Sequence, residues 1–181
     1  MEFDVVIPSG NEKEFIMRAL ELGYDEMVFL VKDVNYAKKY SGLTGENLKI
    51  KTAYLLRDPS EIQKVRGKFD YLFAMADRKF FESKVDFIIG SELSDKKDSF
   101  HYRSTSLNQV HAELSRINDS CIVFSFNNLL HSRILTFGRM HQNAMIVKKY
   151  SLKYSVFSLA SKPEDMRSRA VLDALGNVLG I

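Results

Sequence analysis

The sequence predicts an α/β fold built on a parallel sheet, and three observations carry that expectation. Short apolar runs alternate with amphipathic segments from one end of the chain to the other, capping signals open the amphipathic segments, and no linker interrupts the series. Seven runs read as buried strands: Phe3 to Ile7, Met27 to Val31, Ile50 to Leu56, Tyr71 to Met75, Phe87 to Ile89, Ile122 to Phe126 and Val156 to Leu159. Six or seven helices fall between them, as crossover connections require, and one domain spanning residues 1–181 is expected.

The helices are punctuated in order. Asn11 can cap the first, with Glu14 reaching back, while Phe15, Ile16, Ala19 and Leu20 form an apolar stripe and Gly23 suits a left-handed residue past its end. Asp58-Pro59-Ser60-Glu61 gives another start, with Asp as cap and Pro in the first turn. Ser106 and Gln109 read as a capping box, ahead of Leu107, Val110, Leu114 and Ile117 as a buried face. Ser161-Lys162-Pro163-Glu164 opens the last helix, whose core stripe is Met166, Leu172, Leu175 and Leu179. Alternation alone leaves a closed barrel and an open doubly wound sheet both available. An eight-unit barrel typically uses about 250 residues, so 181 residues imply clipped loops, very short helices or an incomplete ring.

Composition narrows the classes. No stretch approaches the roughly 20 apolar residues of a membrane span, and Met1-Glu2-Phe3-Asp4 lacks a signal-peptide profile, so a cytoplasmic location is expected. The single cysteine, Cys121, excludes an internal disulfide and a thiolate metal cluster, and its neighbours Ile122, Val123 and Phe124 make it a buried strand residue. Net charge is +3, but Lys and Arg number 16 against 18 Asp and Glu in residues 1–100, and 10 against 5 in residues 101–181. A positive excess confined to one part of the chain suits a surface that neutralises phosphates, although scattered solvated charge gives the same count. There is no phosphate loop, dinucleotide fingerprint or Gly-x-Ser-x-Gly elbow; Ser9-Gly10-Asn11 and Ser41-Gly42-Leu43-Thr44-Gly45 are turns without the signature that would follow.

Three stretches share spaced residues with one family. They are His101-Tyr102-Arg103-Ser104-Thr105-Ser106-Leu107-Asn108-Gln109-Val110, then Gly138-Arg139-Met140-His141-Gln142-Asn143, then Ser158-Leu159-Ala160-Ser161-Lys162-Pro163-Glu164-Asp165-Met166-Arg167 followed by Leu172, Leu175 and Leu179-Gly180. On these the chain resembles the archaeal ribonuclease P protein component 3 family, counterpart of the eukaryotic thirty-kilodalton subunit. The resemblance is weak before residue 100. It implies a compact TIM-barrel-like fold of about seven βα units, related in sequence to metal-dependent phosphoester hydrolases. It implies a ribonucleoprotein subunit acting in 5′ maturation of precursor tRNA, with catalysis and Mg2+ belonging to the RNA subunit and no cofactor bound by this chain. Its partners would be the ribonuclease P RNA and a component 2 class protein, as a dimer of heterodimers, with precursor tRNA as the substrate of the complex.

No catalytic residue and no metal ligand set is assigned. The first strand ends Val6-Ile7-Pro8-Ser9-Gly10-Asn11, without the His-x-His pair that the related hydrolases place there. Of the four histidines only His101 falls on a strand-to-helix connection; His111 and His131 read as helical surface or edge residues, and His141 completes the set. The long polar segment from Ser91 to Ser104 is where a barrel places function, and its Asp95, Lys96, Lys97 and Asp98 read as solvated. Arg103, ahead of a helix start, suits bidentate phosphate recognition, with an internal ion pair to a loop carboxylate as the competing role. The resemblance favours Arg167 over Arg169 in the last segment, though Ser168-Arg169 stands where many relatives carry a Ser-Pro step. Arg139 is matched in the family too, its competing role being a helix-surface arginine lying over apolar neighbours.

Lys148, Lys149 and Lys153 bracket Tyr150 and Tyr154, a pattern that can grip a sugar-phosphate backbone or simply place tyrosine rings at a helix-to-strand join. Lys38, Lys39 and Tyr40 repeat it more weakly. Asn108, Asn143, Ser125 and Ser158 are expected to form polar structure at the barrel mouth. The RNA-contacting set is therefore His101, Arg103, Arg139, Arg167, Arg169, Lys148, Lys149 and Lys153. The competing functions are a barrel phosphoesterase built on His101, Asp95 or Asp98, and Glu92, or a scaffold that binds only the partner protein.

Overall fold

In the computed structural model, described over residues 3–36, 48–94, 97–131 and 133–181, the seven expected strands all form and all run parallel. They are β1 (Phe3–Val6), β2 (Glu26–Val31), β3 (Lys49–Leu56), β4 (Tyr71–Met75), β5 (Phe87–Ile89), β6 (Cys121–Ser125) and β7 (Tyr154–Phe157), paired in chain order. The helices are α1 (Glu12–Glu21), α2 (Ile62–Val65), α3 (Arg78–Phe81), α4 (Gln109–Asn118), α5 (Phe126–His131), α6 (Arg133–Lys149) and α7 (Arg169–Leu179). The ring closes just past β7, where Ala160 bridges Val6 in parallel, the Ile7 N–H donates to Ala160 O at 2.8 Å and the Leu159 N–H donates to Val5 O at 2.9 Å. The fold is thus a nearly closed TIM-barrel-like α/β barrel. It fits in 181 residues because the sheet has seven strands among the described residues and because α2 and α3 are single turns of four residues.

Strand pleating sends alternate residues to opposite faces, and both faces are buried, which is why the strands read as continuous apolar runs. Inward residues such as Val5, Val28, Leu30, Phe73, Phe87 and Val123 fill the barrel. Aromatic rings dominate its lower half: Phe3 stacks on Tyr71 at 5.5 Å and on Phe157 at 5.3 Å, and Phe73 stacks on Phe87 at 4.6 Å. Lys51 lies below them, paired with Glu26 at 2.8 Å and donating to the Tyr71 hydroxyl at 3.0 Å. Cys121 points into this core, and burial pushes its thiol up to about 11, as an inert core residue requires. Outward residues, including Met27, Phe29, Ile88, Ile122 and Phe124, pack against the helices.

Several local expectations hold and others shift. Gly23 takes a left-handed φ of +76°, and the Asp58 carboxylate accepts from the Ser60 N–H at 3.0 Å. Asn11 stands at the start of α1 but makes no capping bond there; it accepts from the Ser9 N–H at 2.9 Å and donates to Ser161 O at 3.2 Å, tying the first and last mouth loops together. The segment after Ser161 forms a short 3-10 turn (Pro163–Asp165), and the last helix starts later, at Arg169. Leu172, Leu175 and Leu179 form its buried stripe as expected, whereas Met166 is buried from the extended segment ahead of the helix. No helix among the described residues is long and apolar enough to cross a membrane.

Candidate functional site

The C-terminal ends of β5 and β6 carry the densest polar structure, and α6 supplies it by helical spacing. Residues 138 and 142 share one row of the helix and residues 139 and 143 the next, each pair four apart. The outer row meets the loop that follows β5. Gln142 accepts from the Arg103 N–H at 2.8 Å and donates to Arg103 O at 2.8 Å, a two-bond clamp on one peptide unit. Gly138 leaves room for the Arg103 side chain, since a Cβ there would lie 3.1 Å from Arg103 Nε.

The inner row holds the loop from beneath. Arg139 Nε pairs with Asp98 Oδ1 at 3.0 Å, the two side chains being 6% and 10% exposed, and its Nη1 donates to Ser94 O at 2.9 Å. Asp98 also accepts from the Ser104 N–H at 2.8 Å and from Arg103 Nη1 at 3.1 Å. The Ser104 N–H, with Arg139 and Arg103 beyond it, holds the Asp98 carboxyl below the usual carboxylate range. Two expectations are corrected here. Arg139 is a buried loop anchor, because its guanidinium is spent on Asp98 and loop carbonyls instead of facing solvent. Asp98 is an organising acceptor, because three donors converge on it. Arg103 makes the internal ion pair weighed for it, to Asp98, and leaves about half of its side chain exposed.

Deeper still, Asn143 donates to Ser91 Oγ at 3.0 Å, and Asn128 donates to Glu92 Oε1 at 2.8 Å. Ser125 Oγ accepts from the Asn128 N–H at 3.2 Å, so Ser125, Ser91 and Asn143 form a polar floor under the mouth. Burial pushes the Glu92 carboxyl up, and Oε2 of Glu92 and Oδ1 of Asn143 have no hydrogen-bond partner. Asn108 caps α4, accepting from the His111 N–H at 3.0 Å; the cap is therefore Asn108 and not the expected Ser106. His111 is half-buried at the edge of α4: its ring stacks on Phe81 at 4.3 Å and its Nδ1 lies 2.6 Å from Ser106 O.

Arg167 and Ser158 belong to the seam between β7 and β1. The Arg167 N–H donates to Ser158 Oγ at 3.0 Å; its guanidinium turns back to Glu164 O at 2.8 Å and Met166 O at 2.9 Å and lies 5.3 Å from the Phe126 ring centre. Arg169 Nε pairs with Asp173 at 2.8 Å, and its Nη1 donates to Val156 O at 3.3 Å. Both are local ties with part of the side chain exposed.

The lysine cluster lies at the other end of the barrel. Lys153 and Ser158 are five strand residues apart, about 17 Å at 3.3–3.4 Å per residue. Lys148 donates to Gly180 O at 3.2 Å, Lys149 sits 5.5 Å from the Tyr150 ring centre, and Lys153 pairs with Asp119 at 2.6 Å. The expected RNA-contacting residues therefore fall on two surfaces, with His101 and Arg103 at the mouth and the lysines at the opposite end of the barrel. Asp95 and the Lys38-Lys39-Tyr40 pattern lie outside the described residues, as does the turn of Ser41 to Gly45.

Beside the clamp is an open cleft of about 690 Å³ between residues 99–103 and α6, lined by Phe100, His101, Tyr102, Arg103, His141 and Met145 among others. An apolar groove of about 530 Å³ adjoins it across Phe137, lined by Phe126, Leu129, Leu130 and Ile134, the last of these 90% exposed. The aromatic rings at the cleft, Tyr102 of the 101–110 stretch among them, carry no charge signal by which the sequence points to them. Among the described residues, no group of three or more His, Cys, Asp or Glu side chains is arranged to hold a metal ion.

No family model matches the sequence, and no curated protein matches it. Among solved structures, a chain of a cryo-EM structure of archaeal ribonuclease P with mature tRNA superposes with a TM-score of 0.74, covering 97% of this chain and 85% of that one at 19% identity. A phosphoribosyl anthranilate isomerase from Thermus thermophilus covers 99% of this chain and 98% of its own at 10% identity and a TM-score of 0.35, too loose to bear on the fold. The first of these likenesses shows the same fold over nearly the full length of both chains.

Proposed function

We propose that this chain is a protein subunit of a ribonuclease P ribonucleoprotein, of the component 3 class, that binds and stabilises the catalytic RNA for 5′ maturation of precursor tRNA. The observation that carries the reading is the near full-length likeness to a chain of archaeal ribonuclease P with mature tRNA. The spaced residues at 101–110, 138–143 and 158–167 support it, since they fall on the loop, the helix and the seam that build one barrel mouth. In this reading Arg103, with His101 beside it, meets phosphate at the mouth, and Lys148, Lys149 and Lys153 meet it at the opposite end of the barrel. Arg167 and Arg169 contribute through the exposed parts of their side chains, while Arg139 acts by holding the loop. Neutralising phosphates that the RNA fold brings together lowers the Mg2+ needed to keep that fold. The hydrolytic step and its Mg2+ stay with the RNA.

A component 2 class protein would be the second partner, in a dimer of heterodimers, and the apolar groove at Ile134 and Leu130 is the kind of surface such a partner covers. A hydrolase centre has less support. Asp98 is engaged by two arginines and a backbone N–H, and Glu92 is fully buried against Asn128. The test is cleavage of a precursor tRNA at low magnesium by the cognate catalytic RNA and partner protein, with this chain included or omitted. Cleavage only when it is included supports the subunit role. Cleavage by the proteins without RNA overturns it in favour of a hydrolase, and no effect in any combination removes it.

A further inference from the structure

We propose that the cleft between residues 99–103 and α6 is a binding site for an unpaired RNA nucleotide, its base stacked on the loop aromatics and its phosphate met by Arg103. The inference rests on the reading of the chain as RNA-associated and names what this surface takes. The first support is Phe100, which is 97% exposed. Its ring stands on a defined turn: the Ser99 N–H donates to Tyr102 O at 3.0 Å, and Ser99 Oγ accepts from the Tyr102 N–H at 3.0 Å. The His101 ring meets it edge to face at 5.0 Å. A large apolar ring held in water on an ordered turn, with Tyr102 and Met145 also exposed nearby, is a surface prepared for a flat partner.

Charge selects the partner. Among the described residues the cleft is lined by no Asp or Glu, and its charged lining residue is Arg103, so an anion meets a guanidinium there and no acidic side chain. Arg103 is fixed at its backbone by Gln142 and at its guanidinium by Asp98, yet half of its side chain remains in solvent, which makes it a preorganised phosphate contact. A volume of about 690 Å³ is within the usual range for a small-molecule site, and the open shape suits a nucleotide that continues into a strand at both ends. A duplex would leave the rings without partners, because A-form RNA keeps its base faces stacked inside the helix. Exposed aromatics find a base face only where the base is splayed out.

The test uses the full chain and fluorescence anisotropy with a labelled oligouridine and an oligoadenosine of about six nucleotides, against an RNA duplex of unrelated sequence. Both single strands are expected to bind more tightly than the duplex. Phe100→Ala and Tyr102→Ala should each weaken single-strand binding about 5- to 100-fold with the salt slope unchanged. Arg103→Gln should weaken binding and reduce the slope by about 0.7 to 1. Ile117→Ala, on the exposed face of α4, should do nothing. Circular dichroism and melting temperature should match for Phe100→Ala and the parent, because the ring packs on little. Equal binding of duplex and single strand, no binding, or an unchanged affinity in Phe100→Ala overturns the site. So does a Phe100→Ala variant that loses the partner protein but keeps RNA, which would make the cleft a protein contact. The subunit reading fails separately. Support of precursor tRNA cleavage without single-strand preference removes only the nucleotide site, and single-strand preference without support of cleavage removes only the subunit role.

Discussion

At Asp98 two guanidinium groups and one backbone N–H converge on a single carboxylate. Its neighbour in sequence, Lys97, is solvent-facing as expected, and nothing in the run Asp95 to Asp98 marks one acid as different from the other. It is α6 that delivers Arg139 to Asp98 from beneath. Because the folded carboxyl titrates below its unfolded value, the stability it contributes is present above the ordinary carboxylate range and is lost as pH falls through the folded value. Asp98→Asn should therefore lower the melting temperature at pH 7 and speed proteolysis within residues 91–104, with the gap to the parent narrowing toward pH 3. A gap independent of pH would mean that the carboxylate's charge is not what Arg139 and Arg103 use.

Among the elements, α4 departs furthest from its pattern. The spacing of Leu107, Val110, Leu114 and Ile117 predicts a buried face; Leu107 is buried and Leu114 packs against the core, yet Val110 and Ile117 are exposed, and Ala112 and Ser115 turn inward instead. Small side chains let the helix lie close to the barrel, and His111 covers Phe81 at one end, so Val110 and Ile117 point outward. The cap moved as well, from Ser106 to Asn108, since only Asn108 Oδ1 reaches the first turn, at the His111 N–H. Asn108→Ala should cost about 1 kcal/mol of stability, while Ser106→Ala should stay within about 0.5 kcal/mol, both read by denaturant unfolding. Equal losses would return the cap to Ser106. Strand positions were legible because a strand buried on both faces leaves a continuous apolar run. The phase of α4 was not, because periodicity reports which residues share a face and not whether that face meets a core or a partner. At the site, Arg103 stood out by residue type, whereas Gln142 and Gly138 matter through their distance to another segment and Phe100 through its exposure, and one sequence carries no sign of either.

The molecule as a whole depends on closing a ring of seven strands at β1 and β7, and the closure uses a side chain. Asp4 points outward from β1, fully buried, and its Oδ1 accepts from the Val5 N–H at 2.8 Å and from the Ser158 N–H at 2.7 Å, supplying the seam where no backbone acceptor does so. Its Oδ2 has no partner. Burial raises this carboxyl from 3.8 to about 6, against the opposing pull of Ser158, Val5 and Arg169. A carboxyl with a raised folded value favours the fold most when protonated, below pH 3.8, and that advantage declines as pH rises to about 6. At pH 7 the ionised form then costs about 3 kcal/mol relative to the neutral one. Asp4→Asn keeps the Oδ1 acceptor without the charge, so its stability relative to the parent should rise from pH 4 to pH 7 by up to that amount and level off above. Asp4→Ala removes the acceptor and should destabilise at both pH values, with faster amide exchange at Ser158 and at its neighbours across the seam. If the Asn variant instead tracked the parent at every pH, the carboxyl would be titrating in the fold as it does in water; if the Ala variant matched the parent, the seam would be closed by its backbone alone.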